Sequence, residues 1–110
     1  MQRLKVRFRA SANADLLTIL EYVFAVSGSI ATARSFTRRI HARCLRVGNV
    51  PFGGRARDDL FPDLRTVPFE TSAVIAYTIA GDCVWITNIF YGGRDFEALY
   101  RGEAAERDAP

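Results

Sequence analysis

With 110 residues the chain has room for one domain and no second core. Its apolar (49%) and charged (25%) fractions exclude a mainly disordered chain, and no apolar run approaches the ~20 residues that cross a bilayer. Net charge is only +3, yet residues 1–57 carry 11 Lys/Arg against Asp15 and Glu21, while residues 58–110 carry four Arg against ten acids. The first half, at +9, is therefore expected to face something acidic, either nucleic acid or an acidic protein segment. The N-terminus alternates basic residues and lacks an apolar signal core, so a cytoplasmic location and no membrane partner are expected.

Leu4, Val6 and Phe8 alternate with Lys5, Arg7 and Arg9, the period of a strand with one buried face. Ser11 then reads as the N-cap of a helix over about 12–27, with Ala12, Leu16, Ile19, Leu20 and Val23 on one face. Ser27-Gly28-Ser29 ends it, and Ser29 is placed to cap a second helix over 30–47. That helix has Ala33, Phe36, Ile40, Cys44 and Val47 as its apolar stripe and Arg34, Arg38 and His41 outside. So short a connection makes the pair an antiparallel hairpin.

Residues 49–63, dense in Gly, Pro and Asp, read as a loop, and a strand follows near 64–69 in which Pro68 marks an edge, a bulge or an end. Ser72–Ile79 and Cys83–Tyr91 are almost continuously apolar, as central strands covered on both faces are, and Gly81-Asp82 joins them as a hairpin. Residues 95–100 read as a single helical turn. The expected domain is 1–102, with residues 103–110 a frayed tail. The order is β-α-α-β-β-β, an α+β fold with a helical hairpin packed on a mostly antiparallel twisted sheet.

The inventory of reactive groups is short. Cys44 and Cys83 have 38 residues between them and no C-x-x-C spacing, and read as reduced core thiols. His41 is the one histidine and reads as a helix-surface or half-buried residue. There is no G-x-S-x-G, Walker A or G-x-G-x-x-G string, and Asp58, Asp59 and Asp63 read as a solvated turn rather than a hard-metal site. No cofactor or metal is expected. What remains is arginine: Arg55 and Arg57 after Gly53-Gly54, Arg65 at a strand start, and Arg94 after Gly92-Gly93. Glycines allow positive φ or close backbone approach, so the adjacent guanidinium projects from a fixed turn, suited to phosphate or carboxylate. Each arginine is equally readable as a surface residue or a structural ion pair, Arg94 with Asp95 or Arg55 with Asp58 or Asp59.

Taken in order, Ala12…Asp15-Leu16…Ile19…Tyr22, Ala33…Phe36…Ile40, Pro51…Gly54-Arg55…Arg57-Asp58, Leu64-Arg65…Phe69, Ile75…Tyr77 and Ile86…Ile89-Phe90-Tyr91-Gly92-Gly93-Arg94-Asp95 resemble the RelE/ParE toxin superfamily. The resemblance is greatest to the ParE branch, covers about residues 4–100, and is carried most specifically by the P-x-x-G-R-x-R-D loop and the terminal G-x-R-D.

The resemblance implies the toxic member of a bacterial type II toxin–antitoxin pair that inhibits DNA gyrase and is neutralised by a ParD-like antitoxin. Such an antitoxin has an acidic C-terminal segment and carries the operator-DNA contacts, so a hetero-oligomer with it is expected. Arg55, Arg57, Tyr91, Arg94, Asp95 and Tyr100 are then the expected target contacts, and Arg3, Lys5, Arg7, Arg34, Arg38 and Arg65 the expected antitoxin contacts. The RelE branch implies instead a ribosome-dependent mRNA endonuclease, for which Arg65, Arg94 and Tyr100 would be the catalytic set. Val67 and Val74 stand where that branch commonly has cations, which favours the ParE reading, with no catalytic residues. Tyr91 replaces the histidine that many ParE members have before G-x-R. A third reading is a non-toxic member acting only in antitoxin or operator binding.

Overall fold

The computed structural model describes residues 3–92 and 95–103; Gly93, Arg94 and residues 104–110 lie outside the described residues, and with them the expected role of Arg94 and the fraying of the tail. Five strands form one sheet in the order β1-β5-β4-β3-β2, with β1 (Lys5–Phe8) parallel to β5 (Cys83–Tyr91) and the other pairs antiparallel. The hairpin of α1 (Ala10–Ser27) and α2 (Ile30–Val47) covers one face, and the predicted α+β architecture stands.

Two side-chain clusters follow from strand alternation. On the helix side, Ile19, Ile40, Cys44 and Val47 pack on Val67, Phe69, Ile75, Tyr77, Val84, Ile86 and Ile89. On the other side, Leu60, Leu64, Ala76 and Phe90 are covered by Phe96, Leu99 and Tyr100. The latter three come from α3 (Phe96–Ala98) and the π-helical turn Leu99–Glu103 that continues it. This two-sided cover is why β4 (Ala73–Ala80) and β5 are almost continuously apolar.

A bulge sets the phase of β5. Ala76 pairs with Asn88 but Tyr77 pairs with Ile86, leaving Thr87 as the extra residue. The alternation flips there, so Ile86 and Ile89 both face the helices and Phe90 faces away.

Three local expectations are corrected. Ser11 is not the N-cap of α1: the helix starts at Ala10 after Arg9 with no side-chain cap, and the Ser11 hydroxyl donates to the Thr87 carbonyl. The start is dictated by β1–β5 pairing, since the Arg9 N–H donates to the Ile86 carbonyl while its own carbonyl accepts from Ala12 and Asn13. The 49–63 loop contains a short strand, β2 (Arg55–Ala56), opposite Thr66 and Arg65 of β3 (Arg65–Phe69). Because β2 stops there, β3 is an open edge at Pro68, where its missing N–H is tolerated. Arg55 is not the arginine that pairs with the 58–63 acids; Arg57 is.

Ser29 does cap α2, its hydroxyl accepting from the Thr32 N–H at 3.2 Å. Both cysteines are free and buried, and burial pushes the Cys44 thiol up to about 12. His41 is exposed on α2, its ring stacked on Phe8 at 4.8 Å.

Candidate functional site

The two Gly-Gly-Arg turns are built on different physics. Gly54 is needed for close approach: its N–H donates to the Tyr77 hydroxyl at 3.0 Å, and a Cβ there would lie 2.3 Å from that oxygen. Tyr77 is fully buried and its hydroxyl also donates to the Pro51 carbonyl at 2.8 Å, so one side chain staples both ends of the 51–54 turn to β4. Arg65 adds a second clasp, donating to the Phe52 and Gly54 carbonyls at 3.1 and 2.9 Å with its guanidinium against the Phe52 ring. Gly92, by contrast, has φ +81°, the left-handed conformation that glycine tolerates best.

Beyond the clasp, Arg55 is exposed on β2, whereas Arg57 is 6% exposed. The Arg57 guanidinium donates to both Asp59 oxygens at 3.0 and 2.9 Å and approaches the Glu97 carboxylate at 2.6 Å. Hydrogen bonds to those two carboxylates push its pKa upward, and the same guanidinium holds the Asp59 carboxyl below its usual 3.8. Glu97 belongs to α3, so this ion pair latches the C-terminal turn to the loop. Asp95 starts α3 by accepting from the Ala98 N–H, and Phe96 and Tyr100 pack on Phe90 at 5.3 and 6.1 Å. Burial raises the Tyr100 hydroxyl above its usual range.

Because the Asp59 value is lowered, the pairing contributes its full stability above the ordinary carboxylate value of 3.8 and loses it as pH falls through the lowered one. A carboxyl-carbon NMR titration should therefore place Asp59 below 3.8, and Arg57→Met should return it upward. An unchanged midpoint in the variant would mean that Arg57 is not the cause.

On the helix side, Asp15 of α1 accepts from the Ile89 N–H at 2.8 Å and from the Asn88 amide at 3.2 Å. β1 pairs with β5 only as far as Ile86, so this carboxylate satisfies backbone that the sheet leaves open. Tyr91, half-buried, meets Tyr22 and Phe36 edge-on at 5.7 and 5.3 Å. A shallow groove between the helices is lined by Leu16, Leu17, Leu20, Arg34, Arg38 and His41. Leu17 and Phe24, on one face of α1, leave 56% and 47% of their area exposed, and Arg34 and Arg38 of α2 line the groove with Leu17.

A model of the ParE toxin family, toxins of the type II toxin–antitoxin system parDE, matches residues 6–96. The chain belongs to the ParE toxin family. No curated protein matches it. Among solved structures, a chain of a chromosomal ParDE TA system from P. aeruginosa superposes with a TM-score of 0.72, covering 81% of this chain and 96% of that one at 20% identity, a likeness of fold. Membership in a type II toxin family implies an antitoxin partner.

On this ParE scaffold the candidate residues separate into surfaces that the linear order does not reveal. Arg34 and Arg38 lie on α2 beside the apolar groove, whereas Lys5 and Arg7 alternate with helix-facing Leu4, Val6 and Phe8 and so stand on the opposite side of the sheet. Arg65 shares the helix-side phase of Val67 and Phe69, while Tyr100 packs on the other face, so the sheet separates these two members of the nuclease set. Arg57, expected at the target surface, is instead the buried centre of an ion-pair cluster. Sequence reasoning missed Asp15 as an edge-satisfying group, Tyr77 as a staple, and Trp85, whose ring carries Arg9 at 4.2 Å and Arg7 at 5.9 Å. The alternation of Lys5 and Arg7 pointed to their face, but only the β1–β5 register brings Trp85 beside them.

Proposed function

We propose that the chain arrests growth by inhibiting DNA gyrase, and that an antitoxin with an acidic, amphipathic C-terminal segment neutralises it by lying in the groove of the helical hairpin. The observation that carries the partner half is the pairing of exposed Leu17 and its neighbours with Arg34 and Arg38 along one groove. A disordered acidic segment must offset its ordering cost on binding, and this groove offers both apolar area and opposite charge. The target half rests on family membership and on Arg55 and Asp95, which are exposed, with Tyr91 and Tyr100, which are half-buried.

Supercoiling of relaxed plasmid by purified gyrase is the direct assay. Micromolar chain should inhibit it, and Arg55→Ala should weaken inhibition about tenfold, the scale of one lost charge-assisted contact, with no change in thermal midpoint. Full supercoiling at micromolar chain would overturn the gyrase reading. Arg34→Glu/Arg38→Glu should abolish co-purification with the antitoxin, and retention of the complex by that variant would remove the groove from the partner interface.

A further inference from the structure

We propose that the sheet face opposite the helices, at the β1 edge, is a docking surface for the phosphate backbone of duplex DNA, formed by Lys5, Arg7 and Arg9 around Trp85 with Arg3 at its end. All four cations are exposed, and among the described residues no ion pair uses any of them. The C-terminal turn covers the sheet over Leu60, Leu64, Ala76 and Phe90 and leaves this corner open. The inference stands apart from the gyrase reading, since it concerns DNA without the enzyme.

The geometry of the row suits a duplex. Alternate residues of a strand repeat every ~6.6–6.8 Å, and neighbouring phosphates of one DNA strand, rising ~3.4 Å along the axis while turning around it, stand about 7 Å apart in space, so successive cations of β1 match successive phosphates. Arg7 sits opposite Trp85 in register, and the indole holds the Arg9 guanidinium against its face, limiting the rotamer entropy lost when a phosphate is bound. Protection of an edge strand would account for charges on β1, but not for an indole on β5 that gathers two of them. An acidic protein segment fits less well, because among the described residues the large exposed apolar side chains stand on the helices and the loop after them, not at this corner. A single strand fits less well too, because the ring face on which a base would stack already carries Arg9.

Trp85 is the chain's one tryptophan, so its emission reports occupancy of this face directly. Titrating the full chain with a mixed-sequence duplex of about 20 base pairs should change that emission. For three to four phosphate contacts, affinity should fall roughly 40- to 150-fold between about 50 and 200 mM salt. Arg7→Glu/Arg9→Glu should weaken binding at least tenfold and flatten the salt dependence, and Arg7→Gln/Arg9→Gln should do the same to a smaller degree if the charge-reversed chain fails to fold. Arg34→Glu/Arg38→Glu, with the same change in net charge on the other side of the molecule, should leave binding within about twofold. The proposal is overturned by any of four results: no duplex binding at micromolar chain; equal loss in the α2 variant, which would mean a net-charge effect; tighter binding of the corresponding single strand; or displacement of the duplex by poly-glutamate of equal charge concentration.

Discussion

Gly54→Ala is expected to destabilise the fold by about 3 kcal/mol, through overpacking against Tyr77 and loss of its two hydrogen bonds. The new methyl would stand 2.3 Å from the Tyr77 hydroxyl and 2.9 Å from a ring carbon, and the ring has nowhere to go because it is fully buried. The hydroxyl is pinned from both sides, by the Gly54 N–H and the Pro51 carbonyl, so relief by rotation would leave both partners unsatisfied. Urea unfolding should show the loss as a lower midpoint at an unchanged slope, and the thermal midpoint should fall by roughly 10–20 °C for a domain of this size. Tyr77→Phe alone should cost ~1–3 kcal/mol, because it orphans the same two backbone groups. In the double variant the costs should not add, since removing the hydroxyl also removes the worst clash. Strict additivity would show that the glycine is required for some reason other than close approach to this oxygen.

Asp15→Ala is expected to cost ~1.5–3 kcal/mol, the range for a charge-assisted hydrogen bond to buried backbone. The carboxylate is the only group that α1 offers to the Ile89 N–H, and it also holds the Asn88 amide. Its loss should therefore act locally before it acts globally. Amide exchange at Ile89 should accelerate far more than exchange at Val84, which lies in the half of β5 that β1 pairs. Asp15→Asn retains an acceptor oxygen of the same reach and should lose less than half as much. Uniform acceleration along β5, or an asparagine variant as damaged as the alanine one, would sink the assignment of Asp15 as the group that closes this edge. The helix that carries Asp15 also lines the groove proposed for the antitoxin, so bound partner should suppress the Ile89 opening.

The chain carries two basic surfaces that the sheet keeps apart. One, on the helical hairpin, combines arginine with exposed leucine; the other, at the β1 edge, combines arginine and lysine with a single indole. Their charge is alike, but their apolar content differs, and that difference separates a folding peptide from a rigid polyanion as the expected occupant.

Much of this was legible from residue order. The alternation of Leu4 to Arg9 defined β1 and its two faces, because the period of a strand is a local property of the backbone. The stripe from Ala33 to Val47 and the Ser29 cap placed α2 at its observed limits, since helix periodicity and capping are decided within one turn. The almost continuous apolar runs of β4 and β5 announced cover on both faces, and the spaced motifs carried the family. What residue order left open is pairing at a distance. Which of Arg55 and Arg57 is buried depends on Glu97 arriving from the far end of the chain, and no local rule distinguishes the two. The start of α1 departs from the local capping signal because Ile86, 77 positions on from Arg9, holds that residue in the sheet. Gly54 and Gly92 look alike in sequence, yet one is required by a tyrosine hydroxyl from β4 and the other by its own φ. Local spacing determined the elements, their faces and the family. Only the tertiary structure decided which charged groups are spent holding the fold and which remain available to a partner, because that depends on which side of one sheet each side chain stands.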